Sequence, residues 1–127
     1  MLGYAQMAYY TDDLKASENY FSKVLELEPE NAQAWAYLGK LSYDNENYLK
    51  AYNYVEEALK YDSENYDYYL DKGTYLRYLG KFDQAHEAWN KATKINPSYF
   101  LAYAYLAGSY DDLEEWSLRS EERRVGK

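Results

Sequence analysis

The chain of 127 residues contains no cysteine and few of the residues that interrupt helices, with two prolines and six glycines. The absence of cysteine excludes disulfide bonds and thiolate metal sites. The scarcity of proline and glycine leaves little material for tight turns, which favours a few long helices over many short strands. We therefore expect an all-α fold.

Long apolar runs and an excess of positive charge are also missing. No apolar stretch approaches the length of a membrane span, and the N-terminus lacks a basic segment followed by an apolar one. The formal net charge of -8 argues against nucleic acid as a partner, because binding to a polyanion relies on clustered lysine and arginine. We expect a cytoplasmic protein that binds neither membranes nor nucleic acid.

Tyrosine is abundant, with 19 tyrosines against three phenylalanines and three tryptophans. A tyrosine side chain can fill a core and still present its hydroxyl group to water. A tyrosine-rich core therefore suits a thin architecture, in which most side chains lie near a surface.

A period of 34 residues runs through the chain. The rows at this spacing are Pro29, Ser63 and Pro97; Trp35, Tyr69 and Tyr103; Gly39 and Gly73; Ala51 and Ala85; Ala58 and Ala92; and Leu14, Tyr48, Phe82 and Trp116. Several independent rows at one spacing indicate a repeat array. We divide it into a partial repeat at 1–31, complete repeats at 32–65 and 66–99, and a half repeat at 100–118.

Each complete repeat has the pattern of two amphipathic helices joined by a polar turn. The expected helices lie near 4–10, 13–27, 31–44, 48–61, 65–78, 82–95 and 98–111. Asn96 and Pro97 have the pattern of an N-cap and first helical residue. The acidic pairs Asp12-Asp13 and Asp111-Asp112 are expected in turns between helices.

These rows resemble the tetratricopeptide repeat, a 34-residue unit with the pattern W-x2-L-G-x2-Y, then A-x3-F, then A and P. The first complete repeat matches at Trp35, Leu38, Gly39, Ala51, Val55 and Ala58. The second matches at Tyr69, Gly73, Gly80, Phe82, Ala85, Trp89, Ala92 and Pro97, while Lys72 departs from the usual leucine. The resemblance implies a right-handed superhelical solenoid of antiparallel helix pairs, in which the first helices line a concave groove for a peptide or helix.

The resemblance also implies which side chains face this groove, since the concave positions of each first helix form one stripe. The candidate peptide-binding residues are Tyr9, Lys40, Tyr43, Asp44, Asp67, Leu70, Asp71, Thr74, Arg77, Tyr78, Asp111 and Asp112. Because five of these are aspartates and only two are basic, we expect the groove to bind a protein segment that is neutral or basic.

The best-known subtype of this family clamps the C-terminal carboxylate of chaperone tails with lysine and asparagine. In one register the corresponding places hold Leu2, Gln6, Tyr37, Asp67 and Asp71; in the next they hold Ala36, Lys40, Asp71, Leu101 and Tyr105. Aspartates that face a carboxylate repel it, so this function is disfavoured.

No motif typical of catalysis or metal binding is found in the sequence. His86, the single histidine, begins like H-E-x-x-H, but Asn90 stands where the second histidine is required. We expect His86 to be a solvated surface residue. Ser109 and the other serines lack a glycine-rich elbow and a histidine at a triad-like place. We expect no catalytic activity, no cofactor and no metal.

Residues 119–127 depart from the repeat. Arg119 and Arg123 stand where the pattern requires alanine and an aromatic residue. The string resembles the translation of a common short-read sequencing adapter, whose stem AGATCGGAAGAGC reads Arg-Ser-Glu-Glu. We expect a non-native tail that follows a fragment of a longer array.

Three functions stay open at this point. The first is a scaffold that binds a partner in the groove. The second is a spacer in a longer solenoid, or a segment that self-associates through exposed solenoid ends. The third is an accessory region of a larger enzyme lost by truncation.

Overall fold

The computed structural model of the protein describes residues 14–125, with side chains for 14–115 and 117–118. These residues form α1 (Leu14–Leu27), α2 (Ala32–Asp44), α3 (Tyr48–Tyr61), α4 (Tyr66–Tyr78), α5 (Phe82–Ile95) and α6 (Phe100–Val125), with no strand among them. The prediction of an all-α array is confirmed. The helix expected at 4–10 and the turn at Asp12-Asp13 lie outside the described residues.

Asparagine side chains begin three of the helices. Asn31 accepts a hydrogen bond from the Ala34 amide at 3.0 Å, and Asn65, 34 residues later, accepts from the amides of the first turn of α4. Asn47 caps α3 in the same way. These bonds satisfy amides that the first turn of a helix leaves unpaired.

The prediction that Asn96 is an N-cap was wrong. Asn96 is the C-cap of α5, and its side chain accepts from the Ser98 amide at 3.2 Å. This side-chain bond is typical of an asparagine turn, which keeps the backbone out of the helix until Phe100.

The turns inside the two complete repeats use a left-handed backbone. Glu46 has φ of 62° and Gly80, 34 residues later, has φ of 79°. Glycine adopts this conformation without steric cost, whereas a residue with a Cβ pays about 1–2 kcal/mol. Both repeats therefore have a left-handed residue in this turn, but only the second repeat has glycine, which favours that conformation, at this position.

Helices α2 and α3 form one antiparallel pair and α4 and α5 form the next, with α1 and α6 packed on either side. The core consists of three clusters that follow one another along the array, centred on Phe21, Leu38 and Leu41, on Val55 and Tyr75, and on Leu76 and Trp89, with the alanines of the repeat rows among them. The array is a right-handed superhelical solenoid of helix pairs, as the sequence predicted.

One repeat row carries a recurring hydrogen bond. The Trp35 indole N–H donates to the carbonyl of Pro29 at 3.0 Å, and the Tyr69 hydroxyl donates to the carbonyl of Ser63 at 3.1 Å. Both bonds reach back six residues, from a first helix to the turn before it. A ring with a polar donor is therefore useful at this position, which explains tryptophan and tyrosine instead of phenylalanine.

The last repeat differs from the prediction of a helix that ends near 111. Helix α6 is continuous for 26 residues, so Asp111 and Asp112 lie inside it and the predicted turn does not form. The reason is local: residues 113–115 are Leu-Glu-Glu, whereas the equivalent turns contain Asn45 and Asn47 or Gly80. In the described part of the chain, no helix is both long enough and apolar enough to cross a bilayer.

Candidate functional site

Helices α2, α4 and α6 line two neighbouring cavities, which together we call the inner groove. The aromatic cavity has a volume of about 290 Å³ and is lined by Tyr43, Thr74, Arg77, Tyr78, Trp89, Ala104, Tyr105, Gly108 and Asp112. The acidic cavity has a volume of about 480 Å³ and is lined by Gln33, Ala36, Tyr37, Lys40, Asn65, Asp67, Tyr68, Leu70, Asp71, Tyr99 and Leu101. Along α4 the two cavities follow each other, with Leu70 one turn before Thr74.

The structure brings most of the candidate residues into these cavities. Those in the aromatic cavity are Tyr43, Thr74, Arg77, Tyr78 and Asp112, and those in the acidic cavity are Lys40, Asp67, Leu70 and Asp71. Asp44 and Asp111 are exposed and line neither cavity. Tyr9 lies outside the described residues. Contact with a peptide remains a prediction for the whole set.

Packed aromatic rings hold the wall of the aromatic cavity in place. The ring centroid of Tyr43 lies 5.4 Å from that of Tyr78 and 5.5 Å from that of Tyr75, and Tyr78 stacks on Tyr48 at 4.6 Å. A hydrogen bond with Tyr78, together with burial, raises the pKa of Tyr43 to about 12. The Tyr43 ring also lies 5.8 Å from that of Tyr48, so Tyr43 is a neutral phenol packed against three neighbouring rings.

Trp89 reaches the aromatic cavity from α5. Its indole N–H donates to the Leu70 carbonyl at 3.0 Å, and its ring meets Tyr105 edge to face at 5.5 Å. Two of the lining residues that α6 contributes, Ala104 and Gly108, are small. A Cβ added to Gly108 would meet no atom within 4 Å. The cavity thus has aromatic walls and open space over Gly108.

An ion pair joins α4 to α6 at the aromatic cavity. Arg77 Nε lies 2.6 Å from Asp112 Oδ2, and Arg77 Nη2 lies 3.3 Å from Asp112 Oδ1. The hydrogen bond to the carboxylate raises the pKa of the Arg77 guanidinium. This bidentate geometry is the strong form of an arginine–carboxylate pair, so the two charges compensate each other within the cavity.

The acidic cavity holds a second ion pair and a short hydrogen bond. Lys40 Nζ lies 3.2 Å from Asp71 Oδ2, and the Tyr99 hydroxyl donates to Asp67 Oδ1 at 2.5 Å. Burial raises the pKa of the Asp71 carboxyl, and Lys40 opposes that shift. Burial and the bond to Asp67 raise the pKa of Tyr99. Asp67 and Asp71 therefore lie in one cavity with a single lysine among its lining residues.

Sequence reasoning missed several lining residues. Tyr37 and Tyr105 occupy the same repeat position as Asp71, so the 34-residue spacing would have found them if this position had been included in the stripe. Trp89 belongs to a second helix and Tyr99 to a loop. The concave stripe of the first helices contains no signal for either residue.

The structure corrects the interpretation of His86. The prediction of a solvated side chain was wrong, because His86 is half-buried, its Nδ1 lies 2.7 Å from Ser109 Oγ and its ring meets Tyr110 at 5.0 Å. A histidine does therefore stand beside Ser109. The serine is 2% exposed and its hydroxyl donates to the Leu106 carbonyl at 2.8 Å, so it is closed to a substrate and the contact joins α5 to α6.

Two family models described as tetratricopeptide repeat match this chain, one at residues 5–66 and the other at residues 66–99. A tetratricopeptide-repeat-containing protein of Methanocaldococcus jannaschii is 33% identical over 90 residues, which cover 71% of this chain and 16% of the relative. The human DnaJ homolog subfamily C member 7 is 27% identical over 124 residues, which cover 85% of this chain and 25% of the relative. The chain thus spans at most a quarter of the length of these two relatives.

Solved structures share the same architecture. A mutant of the Thermobaculum terrenum O-GlcNAc transferase superposes with a TM-score of 0.80 at 27% identity, covering 85% of this chain and 21% of that one. The first tetratricopeptide domain of Spaghetti (RPAP3), bound to the HSP90 peptide SRMEEVD, superposes with a TM-score of 0.84 at 13% identity, covering 88% of this chain and 89% of that one. The repeat rows, the helix pairs and these matches agree: the chain belongs to the tetratricopeptide repeat family.

Proposed function

We propose that this chain is a protein-interaction scaffold whose inner groove holds a peptide or helix of another protein, and that the bound segment is neutral or basic. The observation that carries the proposal is the pair of neighbouring cavities on α2, α4 and α6, lined by tyrosine rings and carboxylates. Tyrosine supplies large contact area with little conformational entropy to lose, and is enriched where proteins bind each other.

The charges of the groove support a neutral or basic segment. Lys40 and Arg77 are each paired with one aspartate, so neither is available to attract an acidic ligand without breaking an ion pair. Asp67 adds a further carboxylate, and its hydrogen bond comes from a neutral tyrosine. A surface with this balance attracts cations and selects against anions, mainly through the association rate.

The peptide in the related RPAP3 structure, SRMEEVD, is rich in acidic residues. That domain supports a groove of this architecture as a place for a peptide, but at 13% identity the likeness extends to the fold alone. The aspartates in the inner groove here favour the opposite ligand charge. The same family fold is therefore proposed to serve a different class of peptide.

A peptide array probed at low and moderate salt tests this function. Basic and neutral peptides should bind better than acidic ones, and affinity should fall as salt rises, with exposed charges screened over about 10 Å at 0.1 M ionic strength. The double substitution Asp67→Asn with Asp71→Asn should weaken binding of basic peptides. Glu87→Gln, which removes a carboxylate from α5 outside the groove, is the matched control. Preference for acidic peptides, or unchanged binding by the double variant, would refute the proposal.

We also propose that these repeats are not themselves catalytic. The single histidine, His86, lies between α5 and α6 and contacts Ser109, and this serine is buried. This chain superposes on 21% of the Thermobaculum terrenum O-GlcNAc transferase. An accessory role beside a catalytic domain is therefore the alternative.

Self-association is the second candidate function, because α6 leaves large apolar side chains exposed. Those exposed are Phe100, Leu101, Tyr103, Tyr105, Tyr110 and Leu118. A second copy could cover this surface, since a solenoid gains stability from neighbouring repeats. Sedimentation at rising protein concentration tests it: a monomer throughout the range would exclude self-association, and a dimer lost on Phe100→Ser would support it.

A further inference from the structure

We propose that the inner groove recognises two side chains of one extended segment, a large apolar or aromatic side chain in the aromatic cavity and a lysine or arginine in the acidic cavity. The inference rests on the proposed peptide-binding function and adds the sequence that the groove would select. Its two parts come from different observations on the two cavities.

The aromatic cavity fits an uncharged side chain. Its walls are rings of Tyr43, Tyr78, Trp89 and Tyr105, and its two charged groups neutralise each other in a bidentate pair. A charged ligand group would therefore lose water without gaining a free counter-charge. A volume of about 290 Å³ leaves room for one large apolar side chain, and aromatic walls offer it edge and face contacts.

The acidic cavity already contains a side-chain ammonium group. Lys40 Nζ lies 3.2 Å from the Asp71 carboxylate, and this lysine side chain is 40% exposed while that of Asp71 is 20% exposed. The cavity also contains Asp67 and the rings of Tyr68 and Tyr99. Carboxylates and aromatic faces together are the surroundings that a cation prefers. Lys40 thus shows which kind of group the cavity stabilises.

An incoming arginine can replace Lys40 at Asp71. The lysine ammonium is well hydrated on a flexible stem, so it can move to solvent at little cost, whereas a guanidinium can bind a carboxylate with two parallel bonds. The native lysine is then a competitor for the site. This gives the unusual expectation that its removal strengthens the binding of a basic peptide.

The spacing along α4 sets the distance between the two ligand side chains. The acidic cavity uses residues 67–71 of this helix, and the aromatic cavity uses residues 74–78. The centres of these segments are about seven residues apart, which is roughly 10 Å at 1.5 Å per residue. An extended chain covers that distance in about three residues at 3.3–3.6 Å each.

An extended segment fits the lining better than a helix. The exposed Gln33 amide lines the acidic cavity and can bond to a peptide backbone. A bound extended strand needs such partners for its backbone groups, whereas a helix satisfies its own. The expected ligand is therefore a short extended segment with a basic residue about three positions from a large apolar residue.

Fluorescence anisotropy with labelled nonapeptides and the full chain tests the motif. One peptide carries arginine and phenylalanine three positions apart; the others place them adjacent or seven apart, or replace arginine with glutamate or phenylalanine with alanine. The three-position peptide should bind best, by about tenfold over each single replacement. A preference for the seven-position spacing would overturn the extended geometry, and equal affinity for all would overturn the motif.

Three variants locate the two side chains. Gly108→Leu should fill the aromatic cavity and weaken binding of the phenylalanine peptide but not of its alanine version, while Ala107→Leu, on an exposed residue outside both cavities, should change neither. Lys40→Gln should tighten binding of the arginine peptide several-fold, by removing a competing charge. Weaker binding by Lys40→Gln would show that the acidic cavity takes an anion and would overturn the inference.

Different results would refute the scaffold function and the two-cavity motif. If no peptide binds, in the array or in this set, the scaffold function itself is wrong. If peptides bind but Gly108→Leu leaves their affinity unchanged, or if spacing has no effect, the two-cavity motif is wrong and the scaffold function stands.

Discussion

At the scale of single residues, Trp89 has its place because Gly73 has no side chain. A Cβ on Gly73 would lie 2.5 Å from Trp89 Cδ1 and 2.7 Å from Cε2, closer than packed atoms tolerate. The indole also holds its bond to the Leu70 carbonyl from this position. Gly73 therefore leaves the space that Trp89 needs in the wall of the aromatic cavity.

Gly73→Ala should lower the free energy of unfolding by about 1–3 kcal/mol, since the indole must shift or the helices must separate. Gly108→Ala is the matched control, because its Cβ would enter open space and helix propensity alone should add about 0.5–1 kcal/mol of stability. Urea denaturation of both variants measures the difference. A Gly73→Ala protein as stable as the parent would show that Trp89 does not pack closely against Gly73.

Alkaline pH should destabilise the array through two half-buried tyrosines, Tyr43 and Tyr68. Burial raises the pKa of Tyr68 to about 12, and hydrogen bonding to Tyr78 with burial does the same for Tyr43. The folded state then keeps protons that the unfolded state loses near pH 10, so the folded state binds more protons and stability falls as pH rises from about 10 to 12.

Unfolding free energies measured between pH 9 and 12 test this sign. Tyr68→Phe should lose less stability over that range than the parent, because it removes one of the retained protons. Tyr61→Phe, at an exposed ring at the end of α3, serves as the control. Identical pH profiles for the parent and Tyr68→Phe would contradict the role of burial at Tyr68.

At the scale of helices, most of the array could be predicted from the sequence. The ends of α1 to α5 agree with the predictions within one residue, because the 34-residue rows fix the phase of each helix and polar residues mark each turn. The positive φ of Glu46 could not be predicted, since glutamate is not the residue that this conformation favours. Helix α6 was misjudged because its two aspartates were assigned to a turn that lacks asparagine and glycine.

Less of the candidate site than of the helices could be predicted from the sequence. The stripe rule selected Lys40, Arg77 and Asp112, which line the two cavities, but it did not predict the ion pairs that they form. Lys40 and Asp71, and likewise Arg77 and Asp112, come from different first helices, so their contact depends on how successive repeats are rotated. The sequence pattern does not contain that rotation. It therefore did not show that Asp71 and Asp112 are each neutralised by a basic side chain of another repeat.

The end of α6 gives a prediction at this scale. Deletion of residues 119–127 should leave the melting temperature unchanged, because Arg119 and Arg123 stand where a packed repeat needs alanine and an aromatic residue. Deletion of residues 100–127 is the comparison, since it removes Ala102 from its buried place beside Trp89 and should destabilise the array strongly. A marked drop in melting temperature for the shorter deletion would show that the tail belongs to the fold.

At the scale of the whole molecule, the inner groove spans three successive first helices, and each contributes residues to at least one cavity. A solenoid distributes its stability over neighbouring repeats, so a ligand that touches several repeats can be bound without one dominant pocket. The same arrangement places the paired charges between repeats, where a bound segment would meet them together. We therefore propose that another protein binds along α2, α4 and α6.

Amide chemical shifts of the labelled chain, recorded while the arginine–phenylalanine peptide is added, show where the peptide binds. We expect the largest changes at Lys40, Asp71, Thr74, Arg77 and Gly108, on the three inner helices. Exposed residues of the outer helices, such as Lys60 on α3 and Lys91 on α5, should change little. Changes confined to α3 and α5, or to the exposed residues of α6 outside both cavities, such as Phe100, Tyr103 and Tyr110, would contradict binding in the inner groove.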